Sequence, residues 1–289
     1  MFVDAYRIAT EFTRPVVLSA RDATGSVEAG LGSFVVLNDQ GWIATAAHIF
    51  EVVVKQQSGE ASLAAYDAKM AKVHAEPNDS RRHAMAKRVK PPSDCVRNHS
   101  HWWSDDAARV VEDHVYFDLD LAVCRLAPFD ASKFAGFPTF KDPGSLEPGT
   151  SLVKIGFPFH DVESSWDDAK GSFQLAPGAL PAPYFPMEGI FTRTLDMGMS
   201  PQGFPIKFLE TSSPGLRGQS GGPTLDTRGV VWAIQAKTFP FALGFSPKAA
   251  TKDGRAVEEH QFLNVGLGVH PETLHAVFTA HGVNVAWAP

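Results

Sequence analysis

Apolar residues along most of the chain either alternate with polar ones or gather in short unbroken runs. These are the spacings of half-buried and fully buried β-strands. From Pro15, P-V-V-L-S-A and L-G-S-F-V-V-L flank a glycine-containing turn. Asn38-Asp39 and Gly41 mark a hairpin turn, and W-I-A-T-A-A returns as a strand that delivers His48. Ile49 to Val54 opens a short helix. A strand over His114 to Leu126 puts Asp118, Asp120 and Ala122 on one face and Leu119, Leu121 and Val123 on the other. The second half repeats the theme in S-L-V-K-I-G-F-P-F-H, M-E-G-I-F-T-R, I-K-F-L-E-T, V-V-W-A-I-Q-A-K-T and F-L-N-V-G-L-G-V. Turn-rich stretches over 164–183 and 239–257 read as loops, the first of them mobile.

Three segments break the strand pattern. Residues 1–13 form an arm or short helix. Residues 57–104 have helical spacing, with Leu63, Tyr66, Met70 and Val73 on one side, and then turn basic in R-R-H-A-M-A-K-R-V-K before Pro91-Pro92. This reads as a mostly helical insertion. At the far end Pro271 opens a helix that Gly282 stops. The chain therefore divides into an arm (1–13), a first β unit (14–130) carrying the insertion, a linker without periodicity (131–149), and a second β unit with a C-terminal helix (150–289).

Charge and composition narrow the functional classes. A net charge of −6 lacks the basic surplus of a nucleic-acid binder, and the basic run in the insertion reads as a solvated face. No stretch reaches the roughly 18 apolar residues of a membrane span, and the first residues lack the pattern of a signal peptide. With two cysteines, Cys95 and Cys124, the chain reads as a cytoplasmic protein with unpaired thiols; Cys124 reads as a small buried apolar residue. His99 and His101 lack a cysteine or carboxylate partner at ligand spacing, so no metal or other cofactor is expected.

The chemistry gathers in P-G-L-R-G-Q-S-G-G-P, Pro214 to Pro223. Gly218 and Gly221 permit backbone angles other residues resist, and Ser220 stands exposed between them. The N–H groups of Gly218 and Ser220 can converge on one oxyanion. A serine hydroxyl needs a general base to attack an amide, and the base needs a carboxylate to fix its tautomer. His48, Asp120 and Ser220, each at the end of an apolar strand or in the loop after one, supply that set. Asp118 is the rival acid.

The motifs A-T-A-A-H, D-L-A-V and G-Q-S-G-G-P, in that order, resemble those of chymotrypsin-like serine proteases. K-I-G-F-P-F, E-G-I-F-T-R and G-L-G-V-H-P make the chain especially similar to bacterial HtrA-type trypsin-like peptidases. The resemblance implies an all-β fold of two antiparallel six-stranded β-barrels with the triad in the cleft between them. It favours Asp120 as the acid, since the family places it immediately before L-A-V. It also implies a protein or peptide substrate held as an added strand beside Ala236-Lys237-Thr238. Pro214 falls where trypsin carries its pocket aspartate, and with Thr238 and Gly266 as pocket walls a small or apolar residue is expected at the cleaved position. Gln219 replaces the acidic residue that pairs with a freshly cut N-terminus, so activation by cleavage there is not expected. A latent protease-fold module, ordered by an activating partner, is the alternative.

Overall fold

In the computed structural model, which describes residues 2–144, 146–246, 248–250, 256–258 and 261–288, two β-sheets meet over a shared core. The first sheet runs β4-β1-β2-β3-β6-β5, all antiparallel. Its strands are β1 (Thr13–Asp22), β2 (Val27–Val36), β3 (Trp42–Thr45), β4 (Val96–Trp102), β5 (Arg109–Tyr116) and β6 (Leu121–Ala127). The second half of β2, all of β3 and the start of β6 are buried without alternation because both faces are covered. Phe34, Val36, Ile43, Ala122 and Cys124 pack inside the sheet's curl with Trp103. Val35, Ala44, Leu121 and Val123 face the second sheet and share one core with Ile155, Phe208, Ile234 and Val269.

The second sheet is built from β7 (Thr139–Lys141), β8 (Ser151–Gly156), β11 (Phe185–Met199), β12 (Pro205–Thr211), β13 (Pro223–Leu225), β14 (Val231–Ala242), β17 (Phe262–Val269) and β18 (Ala286–Ala288). Pairing β13 to both β8 and β14 closes six of these strands into an antiparallel ring. The six-stranded expectation thus holds for each unit. It does not include β7 and β18, which add to the ring by parallel pairing. β7 lies inside the expected linker, where a three-residue strand is too short to show a period. Two small hairpins, β9–β10 (Ser164–Asp167 with Ser172–Leu175) and β15–β16 (Lys248–Ala250 with Ala256–Glu258), stand apart.

Other expectations need adjusting. Helix α1 (Val3–Phe12) occupies the arm and buries Ala5, Ala9 and Phe12 in the shared core. The insertion begins earlier and ends sooner than its sequence suggests: α2 spans Glu51–His74, α3 spans Asp79–Ala86, and the residues after Pro92 return as β4. β4 is an edge strand, and its N-H-S-H run carries too few apolar residues to announce it. The run His114 to Leu126 is two strands joined by a tight turn. The 164–183 stretch is organised by the β9–β10 hairpin, where Trp166 packs edge-on against Phe173 and under the Arg21 guanidinium. β14 extends through Ala242 into the expected 239–257 loop, part of which lies outside the described residues. Cys95 and Cys124 are both free.

Helix α4 (Pro271–Ala280) begins at Pro271, and Gly282 follows its end at φ +64°. Its N-cap is His270, whose Nδ1 accepts from the Glu272 N–H at 3.2 Å. An imidazole caps this way only while neutral. Burial pulls its pKa down to about 4. The unfolded chain therefore takes up a proton near pH 6.5 that the folded chain refuses until about pH 4, and stability falls with acidification across that window. His270→Asn keeps a capping oxygen without the titration. We expect the loss of thermal midpoint between pH 6.5 and 4 to be smaller in His270→Asn than in the wild type.

Candidate active site

His48 stands in a single 3-10 turn, Ala47–Phe50, directly after β3. Its Nδ1 lies 2.9 and 3.0 Å from the two carboxylate oxygens of Asp120, and its backbone N–H donates to Oδ1 at 3.1 Å. Asp120 occupies the turn between β5 and β6 at φ +49°, a left-handed conformation that Asp tolerates better than most residues. That conformation buries the Asp120 carboxylate while Asp118 stays exposed, so the two acids do not share a face. Burial alone pushes the His48 pKa down. The hydrogen bond and charge of Asp120, helped by Glu51 and opposed by Lys237, outweigh it and leave the imidazole above its ordinary value.

Ser220 comes from the other sheet, in the loop between β12 and β13. This loop is stapled to both halves of the molecule. Ser33 donates through N–H to the Ser220 carbonyl at 2.8 Å and through Oγ to the Gly218 carbonyl at 2.7 Å. The Phe157 N–H donates to the same Gly218 carbonyl at 3.0 Å, and Gly221 N–H donates to the Gln235 carbonyl at 2.7 Å. Gln219 is wholly buried, and its Oε1 accepts from Leu216 N–H at 3.0 Å. Gly218 sits at φ +90°, and a Cβ there would lie 2.4 Å from the Phe157 carbonyl oxygen. Neither the Gly218 nor the Ser220 N–H donates to a protein acceptor among the described residues. Both donors remain available to an incoming atom.

His48 and Ser220 line one cavity of about 280 Å³ together with Arg217, Ala236, Lys237 and Thr238. No hydrogen bond joins the His48 ring to the Ser220 hydroxyl, and such bonds commonly tighten only when substrate arrives. Ala236 and Thr238 line this cavity together with the serine. Pro214 and Gly266 are not among the residues that line it; both meet Lys154 instead. Thr238 Oγ1 donates to the Gly215 carbonyl at 2.6 Å and accepts from the Gly215 N–H at 2.8 Å, so one side chain ties the two walls together. The Gly218 side of the loop opens into a second cavity, about 470 Å³, walled by Leu31, Phe157 and Phe159. His99 and His101 lie elsewhere, where His101 packs against Phe50 and Trp103, which also pack against each other. Among the described residues no three His, Cys, Asp or Glu are grouped to hold a metal.

Sequence reasoning missed three polar residues that shape the site. Ser33 orients the Gly218 carbonyl, Thr45 Oγ1 donates to the Ser33 carbonyl at 2.7 Å, and Lys154 reaches the serine loop from below. Each is a polar residue inside an otherwise apolar strand, and that was the available signal.

Residues 31–234 match the family model described as a trypsin-like peptidase domain. No curated protein matches the chain. Among solved structures, the HtrA-type protease AlgW with a tripeptide aligns over 98% of this chain and 64% of its own, at 16% identity and a TM-score of 0.48. An AlgW variant with a decapeptide aligns over 99% of this chain and 68% of its own, at 14% identity and a TM-score of 0.51. The active form of the Rv3671c protease from M. tuberculosis aligns over 98% and 86%, at 11% identity and a TM-score of 0.50. The chain therefore spans about two thirds of the AlgW chains it matches. At these identities the last two likenesses carry the fold.

Proposed function

Because the chain belongs to the trypsin-like peptidase domain family, we propose that it is a serine endopeptidase with Ser220 as nucleophile, His48 as general base and Asp120 as the carboxylate that orients it. One observation carries this reading. Ser220 and the Asp120-anchored His48 face a single cavity beside two backbone N–H groups that have no protein acceptor among the described residues. Asp120 on Nδ1 leaves Nε2 as the basic nitrogen. Ser220 Oγ attacks the scissile carbonyl as its proton passes to His48 Nε2. The oxyanion takes the Gly218 and Ser220 N–H groups, His48 returns the proton to the leaving amine, and water then hydrolyses the Ser220 ester.

The substrate lies as an added strand along β14. Beyond Ile234 that strand pairs only with β17, so its other edge is open from Ala236 outward. Pro240 limits the ladder there. It has no N–H to offer, and a proline costs a sheet nothing when its nitrogen faces the unpaired edge. By the alternation of antiparallel pairs, Thr238, two residues earlier, turns its N–H and carbonyl to the same edge. The pairing thus centres on Thr238 and fades at Pro240. This confines recognition to a few residues before the cleaved bond.

The Thr238–Gly215 tie makes the pocket for the cleaved residue shallow, which favours Ala, Ser or Val there. Thr238→Gly removes that bridge. We expect kcat/KM for Leu or Phe at the cleaved position to rise relative to Ala by roughly 10-fold or more, read on a peptide library. An unchanged profile would discard Thr238 as the gate. The reading as a whole is tested with a phosphonofluoridate probe. The protein should gain the mass of the probe less HF, fluoride leaving as the Ser220 O–P bond forms, mapped to Ser220; no adduct, or an adduct on another residue, overturns the assignment.

A further inference from the structure

We infer that Lys154 is a positioning residue of this site: its charged ammonium, seated in a socket of three oxygens, holds the entry limb of the serine loop in the form that presents Ser220. The inference rests on the peptidase reading above. Lys154 lies mid-strand in β8 and is 1% exposed, one of the largest wholly buried side chains in the molecule. Its Nζ donates to the Ser213 carbonyl at 2.5 Å, to Ser213 Oγ at 2.9 Å and to the Pro214 carbonyl at 3.1 Å. It forms no ion pair with any carboxylate among the described residues. A buried, unpaired cation is costly, and a chain gains nothing from keeping one as filler.

The geometry suits the charged form, since two of the three oxygens are carbonyls that can only accept. An ammonium has three N–H groups for three oxygens. A neutral amine has two, enough for the Ser213 and Pro214 carbonyls, and keeps the third contact only by turning the Ser213 hydroxyl into the donor, which gives up the stronger charge-assisted bonds. Gly266 makes the room, since a Cβ there would stand 2.6 Å from Nζ and 2.7 Å from the Ser213 carbonyl oxygen. That assigns Gly266 a place in the socket. Lys154 is not among the residues lining the cavity beside Ser220, and its Nζ is engaged by loop oxygens, so it acts through the loop.

The hydrogen bonds run in sequence from the socket to the nucleophile. Lys154 fixes Ser213 and Pro214, Thr238 fixes Gly215, Leu216 and Gln219 bond each other, and Ser33 and Phe157 fix Gly218. Releasing the first contact frees the limb on which the others depend. Met187 and Thr224 stand opposite Lys154 on the neighbouring strands, and Thr211, Ser213, Pro214 and Gly266 close around its tip. None of these titrates. Burial alone brings Lys154 down to about 7, within reach of ordinary solution pH. Activity then rises with pH as His48 loses its proton and falls again as Lys154 gives its own to water.

The test is kcat/KM across about pH 5 to 10 for wild type, Lys154→Met and Ser213→Ala, with a thermal midpoint at each pH. We expect a bell for the wild type. Lys154→Met should lose the alkaline limb, with a plateau lowered roughly 10- to 100-fold by the displaced loop. Ser213→Ala removes one acceptor for the charged form and should move the alkaline limb to lower pH. An alkaline limb that persists in Lys154→Met, or wild-type kcat/KM in that variant, overturns the proposal. If Lys154→Met does not fold, Ser213→Ala decides: an unmoved limb overturns it. Lysine 13Cε spectra separate this from failure of the peptidase reading. A protein that hydrolyses nothing should still show a lysine titrating near neutrality that shifts in Ser213→Ala, and a signal that does not shift sinks the socket whatever the chain cleaves.

Discussion

Replacing Asp120 with asparagine is expected to lower kcat/KM on the order of 10⁴-fold, the loss seen when a triad histidine is left in the wrong tautomer. Asparagine is the mildest probe of this position. It shares the tolerance of aspartate for left-handed backbone, so the φ of +49° in the β5–β6 turn is preserved. Its amide oxygen can still accept the His48 backbone N–H that Asp120 Oδ1 now takes at 3.1 Å. The amide NH2 then faces His48 Nδ1, which must accept rather than donate. That forces the proton onto Nε2, the nitrogen needed as base. The carboxylate is also the main influence raising the His48 pKa against the pull of burial. Without it the acid limb of kcat/KM moves to lower pH, because the imidazole stays neutral further into acid. The expected signature is a deep loss of rate at every pH, a limb shifted toward acid, and a thermal midpoint close to that of the wild type. A loss smaller than about 10-fold would remove Asp120 from the triad.

How much of this was legible in the sequence varies with the physical origin of each feature. The second half of β2, all of β3 and the start of β6 announce themselves because burial on both faces demands unbroken apolar runs. The break between β5 and β6 did not, since Asp120 adopts a turn conformation through its own backbone tolerance rather than through glycine or proline. β4 was hidden for the opposite reason. As an edge strand carrying Asn98, His99 and Ser100 it needs little apolar surface. At the site, His48, Asp120 and Ser220 stand out because the chemistry dictates their neighbours in sequence. Ser33, Thr45 and Lys154 act across large sequence separations, and a lone polar residue in an apolar strand does not say which distant carbonyl it meets. The resemblance puts Pro214 at the base of the pocket and Gly266 in its wall. In the structure both meet Lys154, Pro214 through its carbonyl and Gly266 through the room it leaves beside Nζ, a contact that no local sequence pattern announces.

Gly218→Ala is expected to cut kcat by roughly 10²- to 10³-fold with little change in KM, the scale of losing one oxyanion donor. Two independent constraints act against any side chain there. The residue sits at φ +90°, where an L-residue is strained. The new Cβ would also stand 2.4 Å from the carbonyl oxygen of Phe157, 2.7 Å from its carbonyl carbon and 3.0 Å from the nitrogen of Pro158. All three are backbone atoms and cannot swing aside. The Gly218 carbonyl is pinned by Ser33 Oγ and the Phe157 N–H, so relief has to come from the peptide on its other side, between Arg217 and Gly218. Rotating that peptide turns the Gly218 N–H out of the cavity and brings the Arg217 carbonyl toward it. One donor is lost and an acceptor with the wrong charge arrives. The His48–Asp120 pair lies on the first sheet and is untouched, so the acid limb should keep its wild-type position. That separates this variant from Asp120→Asn, in which both rate and limb change. Near-wild-type kcat in Gly218→Ala would mean that this N–H does not serve the oxyanion.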